Sequence, residues 1–166
     1  MLIKNLKAGQ ILSLSGTIYT ARDQAHKRLV EALKNNKKLP IDLKGQMVYY
    51  CGPAQTPKGR VIGSCGPTTS SRMDEFTAPL LKAGLKGMIG KGNRSAEVIA
   101  AIKKHKAAYF TTFAGCGALL SRFVVKKEIA AYKDLGPEAI YRLQVRNFPL
   151  VVAIDSKGRN IFKTVK

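Results

Sequence analysis

Three short stretches of this 166-residue chain combine a cation with turn or helix-start chemistry, and together they describe anion binding. The first is Tyr19-Thr20-Ala21-Arg22-Asp23. Arg22 falls in the expected first turn of a helix, where unpaired N–H groups favour an anion and a guanidinium can grip a carboxylate in two bonds. The second, Gly66-Pro67-Thr68-Thr69-Ser70-Ser71-Arg72-Met73, places four consecutive hydroxyls between a forced turn and a helix start, with Arg72 one helical turn from Thr68. Four hydroxyls exceed what one helix cap requires. The third is Gly90-Lys91-Gly92, where glycines permit close backbone approach beside an ammonium. It is not a phosphate loop, because Leu85 stands where that motif has glycine and Gly92 replaces its Ser or Thr.

Two arginines and a lysine suit a ligand with two carboxylates. Power to activate water is scarce: the two histidines are His26 and His105, and no carboxylate pair or metal-ligand cluster has recognisable spacing. A partner is therefore expected to supply that chemistry. His26, one turn after Arg22, reads as packing or support for the site, and His105, flanked by lysines, as solvated.

The elements that must position these residues alternate in type. Gln10–Ser15 reads as a strand, with a second apolar patch at Ile18 and Tyr19. Thr20 is placed to cap a helix reaching about Asn35, with Asp23 as its capping-box partner. Met47–Tyr50, Val61–Cys65, Gly87–Gly90 and Ala107–Phe113 read as strands, and Ser95 caps a helix with the stripe Val98, Ile99, Ile102. A helix from Ser70 or Ser71 is expected to break at Pro79. A short helix over Gly115–Ser121, a strand at Glu128–Tyr132 and a short helix opened by Pro137 follow. Leu150–Ile154 and Asn160–Phe162 are the last strands. The pattern predicts one α/β domain over residues 1–166, a mainly parallel central sheet with an added β layer, and the three cationic stretches on connections from strand to helix.

Composition narrows the function classes. No apolar run is long enough for a membrane span or a signal-peptide core, which predicts a cytoplasmic protein. Cys51, Cys65 and Cys116 have no CxxC spacing and read as buried thiols; an open iron–sulfur cluster on these three is the weaker alternative. The net charge of +19 suggests a polyanion or an acidic partner surface, yet the lysines are spread over helix faces and turns without interleaved aromatics, so a nucleic-acid-binding module is the runner-up.

The segments LSGTIYTARDQAHKR (14–28), YYCGP (49–53), GSCGPTTSSRMD (63–74), GMIGKG (87–92) and LGPEAIYRLQVRNFPLVVAID (135–155) together resemble the β subunit of class I, iron–sulfur dependent fumarate hydratase. They are closely similar to the β subunit of L(+)-tartrate dehydratase as well. The resemblance runs nearly end to end. It implies a swivelling β/β/α domain, the counterpart of the C-terminal domain in single-chain relatives, facing an α subunit in an αβ hetero-oligomer. The α subunit would hold a 4Fe–4S cluster whose open iron acts as Lewis acid, with no metal on this chain. Carried over position by position, Arg22, Arg72 and Lys91 would bind the substrate carboxylates, and Thr68 would be the base at carbon, activated by a carboxylate from α. Asp23, His26 and Thr69 would support the site. Fumarate/malate is the first substrate reading and tartrate the alternative.

Overall fold

The computed structural model describes residues 3–162. In chain order its elements are β1 (Ile11–Thr20), α1 (Asp23–Lys34), β2 (Met47–Tyr49), α2 (Asp74–Lys82), β3 (Gly87–Gly90), α3 (Ala96–His105), β4 (Ala108–Thr111), α4 (Gly117–Leu120), β5 (Val124–Ala131) and β6 (Ile140–Ile154). The architecture is α/β, with a mixed sheet. β1, β2, β3 and β4 run parallel to one another, while β6 is antiparallel to β1, β4 and β5. The expected mainly parallel sheet is thus met only across the first four strands. Because β6 pairs with both β4 and β1, the ladder from β1 through β4 returns to its start, and the five strands form a closed ring with β5 added outside it.

Alternation along the strands sorts the apolar residues into two cores, since successive side chains point to opposite faces. Met47, Tyr49, Ile89, Ala108, Phe110, Leu143, Val145 and Val152 belong to a cluster within the ring. Their neighbours Val48, Tyr50, Met88, Tyr109 and Ala153 belong to a second cluster, which Leu29 of α1, Leu80 and Leu81 of α2, and Val98 and Ile102 of α3 cover. Fully burying such a side chain stabilises by about 1.5–3 kcal/mol. Both clusters bury aromatic rings completely.

Several local expectations are corrected. Gln10–Ser15 and the Ile18–Tyr19 patch are one strand, interrupted by a register shift between Leu14 and Gly16 where Gly16 adopts φ 138°. Thr20 does not cap α1: its hydroxyl donates to the Ala139 carbonyl at 3.3 Å and accepts the Tyr141 N–H at 3.0 Å, which draws it toward β6. Val61–Cys65 is not a strand; Ile62 and Cys65 are buried from a loop that contributes side chains, not ladder bonds. Pro79 lies inside α2 without breaking it, because the N–H it lacks would have bonded Glu75 in the exposed first turn. The segment opened near Ser70 begins as a 3-10 turn, Ser70–Met73, and the Pro137 region is likewise 3-10 (Lys133–Glu138). Asn160–Phe162 makes only an isolated bridge from Asn160 to Ile154. Ser95 caps α3 as expected, accepting the Val98 N–H at 3.3 Å. No helix of the described residues is long and apolar enough to cross a membrane.

Candidate active site

The parallel run β1 to β4 sends its carboxyl ends to one edge of the sheet; the first and third cationic stretches leave from there, and the second, on the connection from β2 to α2, is held against it by the bond from Thr68 N–H to the Tyr50 carbonyl. Arg22 stands immediately before α1 in extended backbone, one residue short of the helical turn expected for it. The N-terminal amides of α1 are partly taken by this chain's own carboxylate, since Glu138 Oε2 accepts the Gln24 N–H at 2.9 Å. Glu138 Oε1 also lies 3.8 Å from an Arg22 terminal nitrogen. The guanidinium lies across Gly52, where a Cβ would come within 2.8 Å of Arg22 Nη1.

Asp23 joins the two arginines. Its Oδ1 accepts Arg72 Nε at 3.0 Å and pairs with Arg72 Nη2 at 2.9 Å, while its Oδ2 lies 3.8 Å from Arg22 Nε. That last pair is too long for a hydrogen bond. Arg22 Nε and Asp23 Oδ2 are in fact buried atoms without a hydrogen-bond partner, an uncommon state that marks an incompletely satisfied site. Arg72 is half exposed.

The segments that carry Thr68 and Lys91 are joined by a second set of contacts. The Thr68 N–H and its hydroxyl both donate to the Tyr50 carbonyl, at 2.8 Å and 2.9 Å. Thr69 and Lys91 form an isolated parallel bridge, in which Ser70 N–H donates to the Lys91 carbonyl at 3.0 Å. Thr69 itself is exposed. Gly90 is what admits this approach, because a Cβ there would collide with Ser70 Oγ and lie 2.9 Å from the Tyr50 ring. Thr68 and Arg72 are therefore separated by a bridge residue and a 3-10 turn, not stacked on one α-helical turn.

His26 is buried beneath this arrangement, its Nδ1 2.8 Å from the Arg22 carbonyl and its ring edge-on to Tyr50. Burial lowers its pKa to about 4, so it is neutral at ordinary pH. Sequence reasoning did not single out Arg94. Its side chain is fully buried, with Nε 2.6 Å from Asp74 Oδ1, a terminal nitrogen 2.6 Å from Thr77 Oγ1, and the group 5.4 Å and 5.1 Å from the ring centroids of Tyr50 and Tyr109. Asp74, the first residue of α2, is its counterion and also accepts the Ser95 N–H at 2.8 Å. The only hint was an arginine four residues past a glycine-ended strand, indistinguishable from a surface one.

The cysteines do not converge. Cys51 and Cys65 are buried, and the neighbouring Cys65 together with burial pushes the Cys51 thiol up, whereas Cys116 is exposed, contrary to expectation. Among the described residues no group of three His, Cys, Asp or Glu side chains could hold a metal ion. His105 is half-buried at the end of α3, its pKa lowered by partial burial and by Lys104, Lys86 and Lys82.

The fold and the edge-clustered cations define a class, and comparison with known proteins names it. The family model for the fumarase C-terminus matches residues 1–165, and the chain belongs to that family. It is 40% identical to the putative L(+)-tartrate dehydratase subunit beta of Methanocaldococcus jannaschii over 169 residues, which cover 98% of this chain and 87% of that protein. It is 41% identical over 157 residues to the aerobic class I fumarate hydratase of Escherichia coli strain K12, covering 93% of this chain but 29% of the enzyme. With the mitochondrial fumarate hydratase 1 of Leishmania major it shares 44% over 154 residues, 28% of that protein. The chain thus spans less than a third of the fumarate hydratases it matches.

Proposed function

We propose that this chain is the β subunit of a cytoplasmic two-subunit hydro-lyase that interconverts fumarate and (S)-malate. Its 166 residues would form a single swivelling β/β/α domain, a description supported by the closed ring with helices over one flank. The observation that carries the reading is the linkage of Arg22 and Arg72 through Asp23 at the sheet edge where Thr69, next to Thr68, is bridged to Lys91. Two carboxylates need at least two cations, and three stand here. The open face and the unpartnered atoms of Arg22 and Asp23 support a site completed from outside the chain.

The 4Fe–4S cluster belongs, on this reading, to the α subunit, since no grouping of the described residues suits it. This chain's own residues bind and move protons. Arg22, Arg72 and Lys91 take the substrate carboxylates, with Asp23 and His26 holding Arg22 and Arg72 in place and Thr69 setting the spacing to Lys91. The Thr68 hydroxyl proton points at the Tyr50 carbonyl, which turns its lone pairs outward. A threonine hydroxyl is a weak base, so on binding the hydroxyl must turn its proton from the Tyr50 carbonyl to a carboxylate from α, which takes it, and the surrounding cations must stabilise the alkoxide. The oxygen of Thr68 then removes the proton from the carbon next to the one losing hydroxide, and hydration reverses the sequence.

Thr68→Ala and Arg72→Ala, assembled anaerobically with the α subunit, should each lose about a hundredfold or more in turnover with unchanged circular dichroism. Undiminished turnover in both would remove the site assignment. Tartrate dehydration is the second reading, favoured by one observation: the relative that this chain covers almost completely is named a tartrate dehydratase subunit. The ratio of kcat/KM for malate and tartrate decides between them.

A further inference from the structure

The loop carrying Lys91 is pinned from beneath by two hydroxyls. The Lys91 N–H donates to Ser70 Oγ at 3.0 Å, and the Ser70 N–H donates back to the Lys91 carbonyl at 3.0 Å. Ser70 Oγ lies 2.9 Å from the Tyr109 hydroxyl, which also lies 2.8 Å from the Gly92 carbonyl. A phenol has one proton and a carbonyl only accepts, so Tyr109 donates to Gly92 and Ser70 donates to Tyr109. A serine lone pair is then left for the Lys91 amide. Each hydrogen has a single destination, and the backbone on both sides of Lys91 is fixed by two side chains with no solvent exposure.

The brace extends one layer deeper. The Arg94 guanidinium sits against the faces of both Tyr109 and Tyr50, and a desolvated cation over an aromatic face is attractive. Tyr50 carries the carbonyl that holds Thr68. One buried cation therefore steadies the ring behind Lys91 and the ring behind Thr68. Burial raises the Tyr109 pKa, so the relay keeps its proton across the working pH range.

The geometry points to Tyr109 as a positioning residue for Lys91, acting through Ser70; this rests on the reading of Lys91 as a ligand of a substrate carboxylate. Tyr109 touches no reacting atom. It sets where the ammonium stands relative to the Thr68 hydroxyl, so its loss should weaken substrate grip more than it slows proton transfer.

Tyr109→Phe removes the hydroxyl and little else, and Ser70→Ala breaks the same relay at its other end, which keeps the test alive if the first variant does not fold. In the full chain assembled with its α subunit, each should raise KM for malate about five- to tenfold with kcat within about twofold, the mark of lost ground-state binding. In the chain alone, acetic anhydride should acylate the Lys91 amine about threefold faster in the variants, with Lys86 as the unchanged control. Folded variants with unchanged KM and unchanged Lys91 acylation would overturn the inference, as would a loss of kcat at constant KM. Should the unsubstituted assembly turn over neither malate nor tartrate, the functional reading fails, and the acylation rates alone still decide whether Tyr109 positions Lys91.

Discussion

Acidification should destabilise this protein through one side chain. His26 is 1% exposed, its Nδ1 is 2.8 Å from a carbonyl, and its Nε2 has no partner. A carbonyl only accepts, so Nδ1 carries the proton and the neutral ring is the form that fits. Burial lowers the pKa from 6.5 to about 4, the Arg22 carbonyl opposing this and the Arg94 charge adding to it. The folded-state value lies below the unfolded one, so the unfolded chain takes up the proton first. Stability is therefore complete above pH 6.5, declines through the window from 6.5 to about 4, and stays lowered below it. At about 1.4 kcal/mol per unit the loss is roughly 3 kcal/mol, a large share of a typical 5–15 kcal/mol. Urea midpoints measured from about pH 7.5 to about pH 4.5 check it, with His26→Gln as the variant that keeps a donor for Arg22 and cannot titrate in this range. The unsubstituted protein should lose stability faster than the variant by roughly 3 kcal/mol over the window, and His105, common to both, cancels. Parallel curves, or a His26 ring resonance titrating near pH 6.5 in the folded protein, would refute the reasoning.

Gly90→Ala should lower stability by about 1–3 kcal/mol, read as a fall of several degrees in Tm, because its methyl group meets Ser70 Oγ and the Tyr50 ring. Alkylation by a small maleimide should modify Cys116 in the native protein and leave Cys51 and Cys65 untouched until denaturant is added, as peptide mass spectrometry would report.

What the sequence disclosed was local. β3 and the Ser95 cap were legible because short apolar runs beside turn residues and helix caps are properties of neighbouring residues. The antiparallel course of β6 was not, since its pairing with β1 spans more than a hundred residues and Asn147, at φ 53°, interrupts its pattern. Val61–Cys65 misled because burial without a ladder leaves the same apolar trace as a strand. At the site, residue types and the family resemblance put forward Arg22, Thr68, Arg72 and Lys91, with Asp23, His26 and Thr69 as support, but not the contacts among them. The bridging by Asp23 and the brace formed by Arg94, Tyr109 and Ser70 arise from side chains that meet only once the sheet edge is assembled.

Closure of the ring has a colloidal consequence. A strand whose hydrogen-bonding groups face solvent is a template on which other chains can stack into fibrils, and a ring offers no such template along its own circumference. The vulnerable rim is the outer side of β5, where Val125 and Ile129 are exposed. Lys126, Lys127 and Glu128 stand between those two residues. Any strand laid alongside would have to bring its own apolar groups over that charged stretch, which makes β5 a guarded boundary.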